Sequence, residues 1–184
     1  MKKKIDQHLN NHLNLLKNNS KNIKIAILKI TSEIKKIYKS KGTFFLAGNG
    51  GSAADCEHIA GELVGRYNKN RKPYKAISLT TDTSVITCIA NDFGYDKIFE
   101  RQIEGIGKKG DLLMVMSTSG RSKNIINVLK MAKKKGIKTV ALLGKKGGQC
   151  IKLADYSYVV PSDNTANIQE THHLIGHIVC SLFD

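Results

Sequence analysis

The sequence predicts an α/β domain: a three-layer, doubly wound, five-stranded parallel sheet of order 2-1-3-4-5 with helical segments ahead of it. Three observations carry this expectation. From residue 42 onward, short apolar runs alternate with longer stretches of helical periodicity. Glycine- or serine-rich loops follow the first and third of those runs. The residues before 42 keep helical spacing and include no strand-like run. Alternation of this βαβ kind implies parallel strands covered by helices on both faces.

The elements follow in order. Residues 2–41 read as helix, with Leu9, Leu13 and Leu16 in step, then Ile23, Ile27, Ile30, Ile34 and Ile37. A polar break near Asn18–Ser20 divides the two sets, so two helices are expected, the second stopped by Gly42. Thr43–Ala47 is the first strand and Ser52–Tyr67 the helix after it. Ala76–Leu79 is a short second strand, followed by short helices at Thr83–Ala90 and Ile98–Gly107. Leu112–Met116 is the third strand, and Lys123–Lys135 a helix that ends at Gly136. Thr139–Leu143 and Ser157–Val160 complete the sheet, and Asn167–Leu182 is the last helix. Residues 1–41 are expected to form a helical arm of the same domain as 42–184, since no linker or repeat divides the chain.

A chain of 184 residues fits one domain with an adequate core. The basic N-terminus has no uninterrupted apolar run, and none elsewhere is long enough to span a bilayer, so a cytoplasmic protein is expected. Four cysteines at 56, 88, 150 and 180 form no C-x-x-C pair, which points to reduced thiols and away from a thiolate zinc site. The net charge of +15 arises from 30 basic and 15 acidic residues. Its lysines are spread along the whole chain without a basic-aromatic module, so it favours a small anionic partner over nucleic acid.

Two loops draw attention because strands one and three are neighbours at the topological switch point, where such sheets bind ligands. Ser117-Thr118-Ser119-Gly120-Arg121-Ser122 offers four hydroxyls, a tight glycine turn and the free N–H groups of the next helix, a combination suited to phosphate. The plain alternative is a serine-rich helix cap. There is no Walker lysine motif. Asn49-Gly50-Gly51-Ser52 is less specific, since Asn49 and Ser52 can meet substrate hydroxyls while the glycines serve the turn. On the helix that follows, His58 and Glu62 are four apart and share a face, a spacing that suits either one divalent ion or an ordinary surface pair. Arg66 lies one turn further, within reach of a phosphate or of Glu62. The last helix carries Gln169, Glu170, His172, His173 and His177, and spacing alone does not join it to His58.

The stretches LAGNGGSAADCEHIAGELVGRY, AISLTTDTSVITCIANDFGYDKIF, GDLLMVMSTSGRSKNI and IQETHHLIGHIVC resemble the SIS (sugar isomerase) family, specifically its phosphoheptose isomerase branch. They stand in the family's order and spacing from about residue 42 to the end; HIAGE and IQE…H mark the branch, whereas the serine loop is shared more widely. The resemblance implies a Zn2+ site of His58, Glu62, Gln169 and His177, with Glu62 and His177 as the acid–base pair. It implies substrate contacts at Asn49, Gly50, Gly51, Ser52, Glu62, Arg66, Asn91, Asp92, Ser117, Thr118, Ser119, Ser122 and Gln169. It further implies a homotetramer with active sites between subunits. The implied reaction takes sedoheptulose 7-phosphate to D-glycero-D-manno-heptose 7-phosphate through a cis-enediol, early in heptose-polymer biosynthesis such as that of the lipopolysaccharide core. The stretch 162–167 departs from the pattern and receives no role. Two alternatives stand beside this reading: a non-catalytic family member that binds the bacterial replication initiator, which would lack the equivalents of Glu62 and His177, and an isomerase of another sugar phosphate.

Overall fold

A computed structural model describes residues 1–184. Helix α1 (Lys2–Lys39) leads into strand β1 (Phe44–Gly48) and helix α2 (Gly51–Val64). Strand β2 (Ala76–Ser78), helix α3 (Thr83–Phe93), a 3-10 turn at Tyr95–Lys97 and helix α4 (Ile98–Ile106) follow. The chain then forms β3 (Leu112–Ser117), α5 (Lys123–Lys134), β4 (Lys138–Leu143), a 3-10 turn at Cys150–Lys152, β5 (Tyr156–Val159) and α6 (Thr165–Ser181). All four strand pairs are parallel, and the sheet order is β2-β1-β3-β4-β5, as expected.

The period-two alternation of side chains assigns the layers. Phe44, Leu46, Met114, Met116, Val140 and Leu142 point to one face, where they pack with α1, α2 and α6. Phe45, Ala47, Leu113, Val115, Ala141 and Leu143 point to the other, against α3, α4 and α5. With both faces covered, β1 and β3 are buried throughout, and apolar except for Ser117 at the end of β3.

The N-terminal segment differs from expectation. The polar stretch Asn18–Ser20 does not break it: α1 is one continuous helix of 38 residues. Asn19 turns its amide back to the Leu15 carbonyl at 2.8 Å and so stays within the helical ladder. At 1.5 Å per residue, α1 is about 57 Å long, which exceeds what a five-stranded sheet can cover. Its C-terminal half supplies Ile23, Ala26, Ile27, Ile30, Ile34 and Ile37 to the core. Its N-terminal half leaves Ile5, Leu9 and Leu13 exposed at four-residue spacing.

The cysteines are all free, with Cys56, Cys150 and Cys180 buried and Cys88 exposed. No helix is long and apolar enough to cross a membrane.

Candidate active site

Two candidate features stand out, one at the carboxyl end of the sheet and one further back along the helices α2 and α6. The first is formed by the loops after β1 and β3. Asn49 and Asn124 join them through a reciprocal amide pair, Asn49 donating at 3.0 Å and Asn124 at 2.8 Å. The Tyr95 hydroxyl also donates to Asn49 Oδ1 at 3.0 Å, and Asn124 is buried. The Asn49 side chain thus locks the two loops to one another. Sequence reasoning did not single out Asn124; a polar residue two positions after the serine loop, on the buried side of α5, was the available signal.

In the serine loop, Ser117 is buried and its Oγ accepts from the Gly120 N–H at 3.1 Å. Ser119 Oγ accepts from the Arg121 N–H at 3.2 Å. Ser122 precedes α5 without capping it through its side chain; Asn124 Oδ1 accepts from the Ile125 N–H at 2.9 Å, and the N–H groups of Lys123 and Asn124 stay free for an anion. Gly120 has φ +61°, and a Cβ there would overlap the carbonyl of Gly147 in the loop after β4. Cys150 N–H donates to Gly120 O at 3.1 Å, so a second loop buttresses the first. A cleft of about 470 Å³ opens here, lined by Asn49, Tyr95, Asp96, Ser122, Lys123 and Asn124.

The second feature lies between α2 and α6, which run side by side in the same direction. Their facing residues form rungs: Gly51 with Gln169, Asp55 with His173, and His58 with His177. Positions 169, 173 and 177 recur at four-residue steps and so share one face of α6. At the first rung the Gln169 amide lies directly over Gly51, in the space a Cβ would take. At the third rung the Nε2 atoms of His58 and His177 are 2.9 Å apart, and Glu62 Oε1 is 3.2 Å from His58 Nε2. A tetrahedral ion with bonds of about 2.0–2.1 Å would have ligand-to-ligand edges of about 3.3 Å, so the His58–His177 and His58–Glu62 pairs each fit one such edge. One ring nitrogen from each of His58, His173 and His177 lies within 4.8 Å of the others. The adjoining cleft, about 530 Å³, includes Gly51, Asp55, Gln169, His173 and His177 in its walls.

Burial lowers the pKa of His177, helped by the nearby imidazoles of His173 and His58. A neutral ring is the form that binds a metal or accepts a proton. His173 and Asp55, which the sequence did not assign, are held together by a 2.7 Å bond from Nδ1 to the carboxylate. His172 faces the opposite way: it is fully buried and donates from Nε2 to the Leu143 carbonyl at 3.1 Å.

Other expected contacts are spread more widely. Ser52 is buried in the first turn of α2 and Gly50 precedes that helix. Thr118 is half-buried in the serine loop. Arg66 lies beyond the end of α2, exposed, with no ion pair to Glu62. Asn91 and Asp92 are exposed on α3, where their side chains bond only to each other and to Cys88. Within one chain, then, the histidine group, the serine loop and the α3 polar pair are not drawn into a single enclosed pocket.

His172 yields a pH prediction. Desolvation lowers its pKa from 6.5 to about 4, outweighing the opposing bond to Leu143. The folded state therefore resists a proton that the unfolded chain accepts. The associated stability is fully present above about pH 6.5 and declines as pH falls toward 4, by up to about 3 kcal/mol. Urea unfolding at pH 7.5 and 4.5 should show a smaller acid loss for His172→Gln than for the original chain. Equal losses would remove His172 as the cause.

Comparisons with known proteins bear on the family and the fold. Residues 7–144 match the SIS domain family. A phosphoheptose isomerase of Sulfurimonas denitrificans is 57% identical over 148 residues, covering 80% of this chain and 76% of that protein. One from Aneurinibacillus thermoaerophilus is 45% identical over 173 residues, covering 89% and 87%. The solved structure of phosphoheptose isomerase GmhA from Neisseria gonorrhoeae is 33% identical, with a TM-score of 0.94 over 100% of this chain and 98% of that one. With sequence and overall fold both matching, the chain belongs to the SIS domain family, in its phosphoheptose isomerase branch.

Proposed function

We propose that the protein is an aldose–ketose isomerase that converts sedoheptulose 7-phosphate to D-glycero-D-manno-heptose 7-phosphate. The observation that carries this reading is the meeting of His58 with both His177 and Glu62 between α2 and α6, in a chain that bears the serine loop at the carboxyl end of its sheet. The kinship with phosphoheptose isomerases supports the choice of substrate. The retained Glu62 and His177 disfavour the adaptor alternative.

The reaction moves a proton between C1 and C2 of the open-chain sugar through a cis-enediol. Glu62 is the base at carbon. Its Oε1 faces His58, while Oε2 makes no hydrogen bond and is free to take the proton. His177, kept neutral by its surroundings, exchanges the proton at the oxygens. The serine loop holds the remote phosphate and sets the register of the reacting carbons. His58, Glu62, Gln169 and His177 are the proposed Zn2+ ligands. When bound, the ion would polarise the carbonyl and stabilise developing negative charge. A cytoplasmic location and a role in heptose-polymer synthesis, as in the lipopolysaccharide core, belong to the same proposal. Incubation of zinc-replete protein with sedoheptulose 7-phosphate, with aldose formation followed directly, tests it. Absence of turnover there, with turnover of a hexose or pentose phosphate, would favour the other isomerase reading.

A homotetramer with active sites between subunits is part of this reading. The exposed Ile5, Leu9 and Leu13 on the N-terminal half of α1 form an apolar stripe suited to a second copy. That half also touches the site helix, since His8 and His12 approach Glu170 at 3.4 and 3.1 Å. Deleting residues 1–41 is a poor test, because it would strip six apolar side chains from the core of the same chain. The double variant Leu9→Lys/Leu13→Lys leaves that core intact. Sedimentation should show it dissociated and activity lost together. A fully active monomer would defeat the shared-site reading.

A further inference from the structure

We propose that His173, oriented by Asp55, is a ligand of the divalent ion in this chain and competes with Gln169 for the same coordination position. The inference deepens the metal reading above and rests on it. It starts from the rungs between α2 and α6. Gln169 and His173 are successive positions on the face of α6 that ends at His177, so both reach the same groove. They differ in placement. The Gln169 amide is seated over Gly51 at the start of α2, at the far end of the series from His58 and Glu62. The His173 ring is adjacent to both other imidazoles, with centroids 4.3 Å from His177 and 5.1 Å from His58.

The hydrogen bond of His173 adds a second argument. Donation from Nδ1 to Asp55 Oδ1 at 2.7 Å fixes the tautomer and leaves the Nε2 lone pair free. A carboxylate holding the far nitrogen of an imidazole is the usual outer partner of a metal-binding histidine, because it sets the ring's orientation and raises its basicity. Asp55 is largely buried and stands one turn before His58 on α2, so the same helix supplies a ligand and the support for another. An imidazole is also a better zinc donor than a neutral amide. A site with three nitrogens and the Glu62 carboxylate would need nothing from Gln169 for metal affinity, leaving that amide available to the substrate.

The test is zinc affinity, measured on the full-length protein by competition with a chromogenic chelator, with the visible spectrum of the Co2+-loaded protein as a second readout. His173→Asn should weaken zinc binding by about 100-fold or more and alter the Co2+ bands. Asp55→Asn should weaken it by about 10- to 100-fold, the range seen when an outer carboxylate is lost. Gln169→Ala should stay within a few-fold of the original affinity. His173 is partly exposed, so His173→Asn removes no core packing, and Asp55→Asn gives an independent reading should that variant fold poorly. The inference is overturned if His173→Asn retains the original affinity and Co2+ spectrum, or if Gln169→Ala alone loses the metal. If the unaltered protein binds neither ion, the metal reading itself falls, which is distinguishable because it is seen before any variant is made.

Discussion

Glu62→Gln is expected to slow isomerisation by about 10²- to 10⁴-fold, the usual contribution of a positioned base. The amide is nearly the same size and Glu62 is only partly buried, so the fold should survive. It has no carboxylate oxygen to take the proton from carbon. Since Oε1 also faces His58 in the proposed metal group, zinc content must be measured on the same preparation. Retained zinc with lost turnover assigns the defect to proton transfer. Lost zinc would assign it to the metal site. Substantial turnover with zinc bound would remove Glu62 as the base.

Gly120→Ala should damage the phosphate site from within the fold. The residue sits at φ +61°, which costs an L side chain about 1–2 kcal/mol. Its new methyl would also overlap the Gly147 carbonyl and crowd the backbone of Gly148, neither of which can swing away as a side chain could. The serine loop and the loop after β4 must then separate. A loss of stability on the order of 3 kcal/mol and a KM for the sugar phosphate raised at least tenfold are expected. Gly50→Ala provides the control, since Gly50 has nearly the same φ, +56°, but open space where its Cβ would stand. It should cost only the backbone strain. Equal stability losses at the two positions would show that the contact between loops contributes nothing.

Much of the architecture was legible because its signals are local. Apolar runs such as Leu112–Met116, followed by Ser117–Ser122 and a helical period, specify strand, turn and helix without distant contacts, and the observed β3 and α5 differ from expectation by a residue or so. The failure in α1 is informative for the same reason. Asn18–Ser20 is a poor helical stretch taken alone, but three weak positions do not interrupt a helix whose later turns are held by packing of Ile23 to Ile37 on the sheet.

The site divides along the same line. Local patterns in the chain were enough to mark the two helices that carry the candidate ligands, through the four-residue step His58–Glu62 and the eight-residue step Gln169–His177, and to put the serine loop at the switch point. They did not determine how the helices meet. Their 107-residue separation between His58 and Glu62 on one side and Gln169 on the other, counted from Glu62 to Gln169, is closed only when both pack on the face of the sheet carrying Phe44 and Met114. Register along that contact then decides which histidine faces which partner. His172 and His173 are neighbours in sequence, yet adjacent helical positions point about 100° apart, so one is buried beneath Leu143 and the other reaches Asp55. Likewise, that Asn124 closes on Asn49 across β1 and β3 follows from the crossover order of the sheet, a relation between distant segments that no local pattern encodes.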